Sequence, residues 1–237
     1  MNSEWKAFLE SLSARIDDEG RVAFPEAPAD ADCTLVDLSH LGLIAVDGPD
    51  AREFLQGQLT NDVRELSDRH TQLSGYCSPK GRMLANFRLL RLGETIYLQL
   101  PRSQVEATLK RLQMFVLRSR ARLRDASDEL VAIGVAGDGA LARVAGACGV
   151  LPELDNGLAR AGDLALVRIP GNPARFQILG PVDAVKALWS RLAEGAALAG
   201  PDRWRLLDIR AGLPSIYPET RETLVPQMAN MHLIDGV

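Results

Sequence analysis

The chain has 237 residues, of which 46% are hydrophobic and 24% are charged, and its formal net charge is −4. This length suits one large domain or two small ones. The negative charge argues against general coating of nucleic acid, which needs many phosphate-neutralising cations. No apolar run approaches the roughly 20 residues that span a bilayer. We therefore expect no membrane contact. Cys33, Cys77 and Cys148 lie too far apart for a zinc site or a disulfide framework, so we expect no metal either.

The first residues predict an amphipathic helix, because Trp5, Phe8, Leu9, Leu12 and Ile16 recur at helical spacing. The acidic segment that contains them lacks the basic region and the apolar core of a signal peptide. We therefore assign residues 1–32 to an N-terminal helix and its lead-in, and we expect a cytoplasmic protein.

Residues 33–126 are predicted to form a first α+β half. Asp50 precedes an apolar-periodic segment and is a candidate N-cap. Glycine and proline turns separate the other segments. The predicted elements are strand 43–46, helix 51–58, strands 72–78, 82–92 and 95–100, and helix 102–115.

Residues 127–198 repeat this order of elements. The predicted elements are strand 130–135, helix 140–148, strands 164–169 and 175–179, and helix 182–194. Both halves follow the pattern β-α-β-β-(β)-α. Hairpin strands with helices on one face form an α+β sandwich, so we predict two ferredoxin-like halves related by a pseudo-twofold axis.

The last predicted domain, residues 199–237, contains Pro214, Pro218 and Pro226. Proline fixes φ and biases the preceding residue away from helix. We therefore expect the stretch from Trp204 to Val237 to consist of short extended pieces that form an irregular strap across both halves.

Two polar motifs are candidate binding elements. Residues 58–63 read Gln-Leu-Thr-Asn-Asp-Val, which either caps the end of a helix or lines a ligand site. Lys80 and Arg82 flank Gly81, which can take a positive φ. These two cations either decorate a polar hairpin or hold a carboxylate or phosphate.

A run of alternating arginines, residues 118, 120, 122 and 124, would line one side of a strand. This face is either solvated, with Asp125, Asp128 and Glu129 as partners, or a dock for an anion. The three histidines have no spacing typical of a metal site or a catalytic triad and are interpreted as surface or turn residues.

Three motifs resemble those of the YgfZ-type folate-binding proteins, which are relatives of the T-protein (aminomethyltransferase) of glycine cleavage. They are the Gln-Leu-Thr-Asn-Asp-Val block at 58–63, the Pro-Lys-Gly-Arg-Met turn at Pro79, and the pieces 211–214 (Ala-Gly-Leu-Pro) and 225–231 (Val-Pro-Gln-Met-Ala-Asn-Met). Full-length family members continue into a Lys-Gly-Cys-Tyr-x-Gly-Gln-Glu signature and a C-terminal β-barrel. We expect this chain to be the T-protein-like folate-binding fold with the C-terminal barrel missing.

The resemblance implies binding of tetrahydrofolate or a derivative, and a role in assembly or repair of iron–sulfur clusters and thereby in tRNA modification. The implied partners are iron–sulfur enzymes or assembly proteins, with no direct contact to nucleic acid. The residues assigned to folate, in part by this resemblance, are Gln58, Thr60, Asn61, Asp62, Tyr76, Lys80, Arg82, Asn86, Arg175, Gln227 and Asn230.

Two departures from the family limit this assignment. T-proteins carry paired aspartates where this chain has Ala85 and Asn86, and an amide cannot stabilise an iminium cation as a carboxylate does. We therefore expect no classical aminomethyltransferase turnover and assign no catalytic residue. Relatives often have Arg and Glu where this chain has Asp208 and Arg210, so Asp208 is expected to face a cation elsewhere in the chain.

The sequence leaves two alternatives open. One is a folate-dependent aminomethyltransferase that acts on small amines, which Asn86 disfavours. The other is an interaction scaffold that binds no small ligand, which a titration with tetrahydrofolate would distinguish from a folate-binding protein.

Overall fold

A computed structural model describes residues 1–17, 20–25 and 31–237. Part of the predicted lead-in, residues 18–19 and 26–30, lies outside the described residues. None of the described helices is both long enough and apolar enough to cross a membrane.

The helices and strands are numbered in chain order. The helices are α1 (Ser3–Ser11), α2 (Ala51–Gln56), α3 (Val105–Gln113), α4 (Ala140–Cys148), α5 (Val182–Leu192) and α6 (Pro201–Arg210). The strands are β1 (Arg15–Ile16), β2 (Val22–Ala23), β3 (Thr34–Asp37), β4 (Leu41–Asp47), β5 (Gln72–Cys77), β6 (Met83–Leu92), β7 (Thr95–Pro101), β8 (Arg122–Asp125), β9 (Val131–Ala136), β10 (Leu158–Ala161), β11 (Leu164–Ile169), β12 (Arg175–Gly180) and β13 (Ala197–Ala199).

The chain divides into two compact units, each made of two separate stretches. The first unit consists of Met1–His40 and Ser127–Ala211, and the second of Leu41–Ala126 and Gly212–Val237. The four predicted domains follow one another along the chain, whereas the observed units interleave. The physical reason is strand pairing, because β3 pairs with β9, about 100 residues further along the chain.

The first unit is built on a sheet with the strand order β10-β11-β12-β9-β3-β13. Helix α1 begins at Asn2, whose side chain accepts hydrogen bonds from the backbone N–H groups of Glu4 and Trp5. Trp5 and Leu9 enter the core, where the Trp5 ring meets Trp189 edge-on at 5.4 Å. The predicted apolar side of this helix is confirmed there, but the helix ends before Ile16, which lies in β1.

The second unit is built on an antiparallel sheet with the order β5-β6-β7-β4-β8. Helices α2 and α3 bury Phe54, Leu55 and Leu112 against Phe87 and its neighbours on that sheet. The alternation of buried and exposed residues seen in many half-buried strands is absent from most of β6, whose first eight residues are all buried.

The predicted repeat is present in both units. The second unit contains β4-α2-β5-β6-β7-α3 and the first contains β9-α4-β10-β11-β12-α5. The corresponding strands also take the same places in their sheets, β5-β6-β7-β4 and β10-β11-β12-β9. The strand directly before each repeat in the chain belongs to the opposite unit. Strand β3 precedes the repeat of the second unit and pairs with β9 of the first, and β8 precedes the repeat of the first unit and pairs with β4 of the second. The α+β class is therefore confirmed.

The predicted extended conformation of the strap is wrong for its first seven residues. Residues from Trp204 to Arg210 belong to α6, which begins at Pro201. Proline is well tolerated in the first helical turn, because its missing N–H would have no partner there. From Gly212 onward the chain is irregular, as predicted, with short 3₁₀ turns at Pro218–Thr220, Pro226–Ala229 and Met231–Leu233.

Candidate functional site

The C-terminal segment of the second unit, Gly212–Val237, is bound by several side chains that the sequence assigns to folate. All of the assigned residues except Arg175 belong to the second unit. The backbone of the segment contacts them at three places, which we describe in turn.

The first place is the loop that follows α2. The Gly75 N–H donates to Thr60 Oγ1 at 2.7 Å, and that hydroxyl in turn donates to the Gly236 carbonyl at 2.9 Å. A Cβ at position 75 would lie only 3.1 Å from Thr60 Oγ1, so glycine permits the close approach. Thr60 therefore joins β5 to the end of the C-terminal segment.

Asn61 and Asp62 complete this loop. The Asn61 amide donates to the carbonyls of Leu73 and Asp235, while its oxygen accepts from the Asp62 N–H. The Asp62 carboxylate accepts from the Arg64 backbone and guanidinium, and this guanidinium lowers the pKa of Asp62. Asn61 thus joins this loop to β5 and to the C-terminal segment, and Asp62 bonds within the loop itself.

The second place is Asn86, in the middle of β6. Its amide nitrogen donates to the Pro214 carbonyl at 2.7 Å, and its oxygen accepts from the Ile216 N–H at 2.8 Å. Asn86 is only 9% exposed, so these two hydrogen bonds are largely shielded from water. An aspartate could not make the first of these bonds in its ionised form, because a carboxylate only accepts.

The third place is the turn between β5 and β6. The Arg82 guanidinium donates to the Thr223 carbonyl at 2.7 Å. The backbone of Met83 donates to Leu224 and accepts from Glu222, each at 2.8 Å. The C-terminal segment therefore pairs with the chain directly after the turn.

The remaining assigned residues of the second unit differ in exposure. Tyr76 is buried, and burial raises the pKa of its hydroxyl, while the Arg111 cation acts in the opposite direction. Gln58 is half-buried, and Lys80, Gln227 and Asn230 are exposed. Asn230 takes a left-handed φ of 57° after a 3₁₀ turn, a conformation that asparagine tolerates. Their role in folate binding stays a prediction.

Arg175 lies in the first unit and is 1% exposed. Its guanidinium pairs with Asp208 at 2.8 Å, donates to the Pro170 carbonyl, and lies 5.0 Å from the centre of the Trp204 ring. Burial lowers the pKa of Arg175, and the Asp208 carboxylate opposes that shift. Asp208 therefore does face a cation, as the exchanged charges at 208 and 210 predict, while the neighbouring Phe176 lies in the core of the first unit.

The alternating arginines do not form one face. Strand β8 begins only at Arg122, and the side chains of Arg120 and Arg124 pair with Asp50 and Asp47 at 2.9 and 3.5 Å. The predicted four-residue face is therefore wrong, and these two acids were not among the predicted partners. Asp50 accepts from Arg120 and makes no side-chain capping bond to α2.

The cysteines and histidines of the described residues form no metal-binding cluster. Burial raises the pKa of all three thiols, which keeps them protonated. His40 lies in the turn before β4, as one of the two interpretations has it, and is half-buried; burial and, to a smaller extent, Arg205 lower its pKa to about 4.

Comparison with known proteins identifies the family. Residues 28–156, just over half of the chain, match the family model described as the GCVT N-terminal domain. The chain belongs to this family. A GCVT N-terminal domain is also consistent with the two interleaved α+β units.

The curated relatives of this GCVT-domain chain include proteins named tRNA-modifying protein YgfZ. The protein of Serratia proteamaculans is 32% identical over 214 residues, which are 90% of this chain and 64% of the relative. The protein of Yersinia enterocolitica is 31% identical over 205 residues, which are 86% of this chain and 62% of the relative. The chain thus spans less than two thirds of the length of these relatives.

Solved structures show the same fold. The glycine cleavage system aminomethyltransferase T from Bartonella henselae matches with a TM-score of 0.70 and 22% identity, over 84% of this chain and 59% of that one. Heterotetrameric sarcosine oxidase from Corynebacterium sp. U-96 matches with a TM-score of 0.52 and 14% identity, over 72% of this chain and 86% of that one. At these identities the likeness concerns the fold alone.

Proposed function

We propose that this chain is the folate-binding part of a tRNA-modifying protein. It binds tetrahydrofolate or a derivative and supports tRNA modification by assisting the assembly or repair of iron–sulfur clusters in client enzymes. The observation that carries this proposal is the match to proteins named tRNA-modifying protein YgfZ over 90% of the chain. Membership in the GCVT N-terminal domain family supports the folate part.

The binding role falls to the side chains that the C-terminal segment leaves accessible. Gln227 and Asn230 are exposed, and each amide offers both a donor and an acceptor to the edge of a pterin ring. Thr60, Asn61 and Asn86 act indirectly, because their hydrogen bonds hold the segment that carries these two amides. The proposal thus separates residues that contact folate from residues that position the segment.

A calorimetric titration with tetrahydrofolate tests this proposal. We expect saturable binding by the unmodified chain and about fivefold weaker binding for Gln227→Ala and for Asn230→Ala, since a hydrogen bond contributes on the order of 1 kcal/mol. Glu219→Ala, at an exposed position of the same segment, is the control and should bind normally. If tetrahydrofolate gives no heat of binding and does not change the unfolding temperature, the interaction scaffold is favoured instead.

The link to tRNA is tested separately in cells. A strain that lacks its own YgfZ relative is supplied with the gene that encodes this chain, and the modified nucleosides of total tRNA are measured by mass spectrometry. We expect the gene to restore those nucleosides whose synthesis needs an iron–sulfur enzyme, and the variants that lose folate to restore less. Full restoration by those variants would separate tRNA modification from folate.

An aminomethyltransferase function is disfavoured by the geometry of Asn86. Both of its polar atoms are engaged by the backbone of Pro214 and Ile216, and Ala85 beside it is buried and apolar. An assay for methylene-tetrahydrofolate formation from an aminomethyl donor should therefore give no product, and sustained turnover would contradict this reasoning.

A further inference from the structure

A cleft in the second unit lies at the turn between β5 and β6. Its volume is about 340 Å³, within the range of small-ligand sites. Three of its lining residues are basic and one is acidic. The lining consists of Ser78, Pro79, Lys80, Arg82, Arg111 and Glu222. The cleft therefore has an excess of positive charge, although the whole chain is acidic.

Two buried polar atoms of this lining have no hydrogen-bond partner among the described residues. They are the hydroxyl oxygen of Ser78, which is only 8% exposed, and the Nε atom of Arg111. The great majority of buried polar groups in proteins are hydrogen-bonded, so each exception needs an explanation. Two exceptions that line one cleft point to a polar ligand as their shared partner.

The chemistry of these groups selects the kind of ligand. A guanidinium and an ammonium can only donate hydrogen bonds, and a serine hydroxyl can donate one. Donors that surround one space are suited to an acceptor with several oxygen atoms and a negative charge. Carboxylates and phosphates meet both conditions, and arginine recognises them in a fixed planar geometry.

The cationic and hydroxyl groups are held in place by the fold. Arg111 lies on α3, and its guanidinium carbon lies 5.8 Å from the centre of the Phe115 ring. Ser78 is fixed by the turn, since its N–H donates to Arg82 and its carbonyl accepts from Gly81. Because these positions exist before any ligand binds, little ordering would be needed on association.

We propose that the Ser78–Arg111 cleft is a binding site for an oxyanion, the carboxylate or phosphate group of a small organic ligand. The volume of the cleft exceeds what a bare ion needs, since one water molecule occupies about 30 Å³ in the liquid. Ser78 and Arg111 were not assigned to any ligand by the sequence. Lys80 and Arg82 of the same lining are among the residues assigned to folate, but Ser78 and Arg111 carry this proposal, and its probes are not folates.

The test uses the whole chain and two probes, inorganic phosphate and glutarate. Binding is followed by NMR titration, with the rise in unfolding temperature as a second readout, since a ligand that binds only the folded state stabilises it. We expect saturable binding of at least one probe. Competition between the probes then tells whether the site prefers a phosphate or a carboxylate.

Variants distinguish this site from general attraction to a basic surface. Ser78→Ala removes an oxygen that has no hydrogen-bond partner among the described residues, so it should fold normally and bind about tenfold more weakly, as expected for a lost hydrogen bond to a charged group. Arg111→Gln should lose at least as much. Arg118→Gln, at an exposed arginine outside the cleft, is the matched control and should bind as the unmodified chain does.

Two results would overturn the proposal. One is the absence of saturable binding of either probe to the unmodified chain. The other is equal binding by Ser78→Ala and the unmodified chain, which would mean that the hydroxyl does not contact the ion. Because the Ser78 hydroxyl bonds to none of the residues that the structure describes, its removal should leave the unfolding temperature without ligand unchanged, and that measurement separates lost binding from misfolding.

Discussion

Replacing Asn86 by aspartate would remove one of the two hydrogen bonds that the side chain of residue 86 makes to the C-terminal segment. The amide donates to the Pro214 carbonyl at 2.7 Å and accepts from the Ile216 N–H at 2.8 Å. An ionised carboxylate keeps the second bond but places a negative oxygen against the Pro214 carbonyl. A buried group left without its partner costs about 1–3 kcal/mol. For a chain of this size, a loss of about 2 kcal/mol lowers the unfolding temperature by roughly 4–8 °C.

The same substitution should make stability depend on pH in a definite direction. A protonated aspartate can donate to Pro214, so folding favours the protonated form and raises the pKa of this residue above its unfolded value of about 3.9. The stability of the variant is then fully present below that unfolded value and is lost as pH rises through the folded pKa. The deficit relative to the unmodified chain should therefore be small near pH 4 and complete at pH 7.

Urea unfolding of both proteins across this pH range measures the difference. Asn230→Asp applies the same chemical change at an exposed residue, and it should alter the free energy of unfolding by no more than about 0.5 kcal/mol. Equal stability of Asn86→Asp and the unmodified chain at pH 7, or a deficit that does not change with pH, would refute the proposed role of the amide.

Four further substitutions test the first unit. Asp208→Asn leaves the guanidinium of Arg175, 1% exposed, without its charge partner, and urea unfolding should show a loss of about 3 kcal/mol; a loss below 1 kcal/mol would speak against a buried pair. The pKa of His40 is about 4 in the folded chain and about 6.5 in the unfolded chain, so the free energy of unfolding should decrease by up to about 3 kcal/mol as pH falls from 6.5 towards 4. Calorimetry should show a smaller decrease for His40→Gln. Gly134→Ala places a methyl group 2.5 Å from a buried indole ring and should lower the unfolding temperature, whereas Gly146→Ala, in open space on α4, should raise it slightly; the opposite order would be inconsistent with the packing.

Elements defined by local pattern could be predicted from the sequence. Helix α4 and strand β11 have the predicted bounds, because glycine and proline turns isolate each of them. Strand β10 was missed, since four residues give too short a pattern to detect. Helix α6 was also missed, because the prolines that follow it suggested an extended chain and the favourable place of Pro201 at its start was not considered.

Contacts between distant residues limit what the sequence predicts about the site. The family resemblance assigns Thr60, Asn61 and Asn86 to folate binding. It does not indicate that these side chains donate to carbonyls more than 120 residues further along the chain. Arg111 occupies an ordinary polar position on a helix, and only the folded hairpin places Ser78 in the same cleft. Local pattern carries no information about such neighbours, so the composition of the cleft required the structure.

The interleaving of the two units imposes an order on their completion during synthesis on the ribosome. The start of the first unit, Met1–His40, emerges first, and β3 then waits for β9, which follows the whole body of the second unit. The second unit waits in turn, because the partners of Met83 at Glu222 and Leu224 are made only after the first unit ends. The first unit is thus left with β3 unpaired, and the second with the backbone of Met83 unpaired, until later parts of the chain are translated, and chaperones that shield exposed strand edges have their clearest opportunity on this chain during that interval.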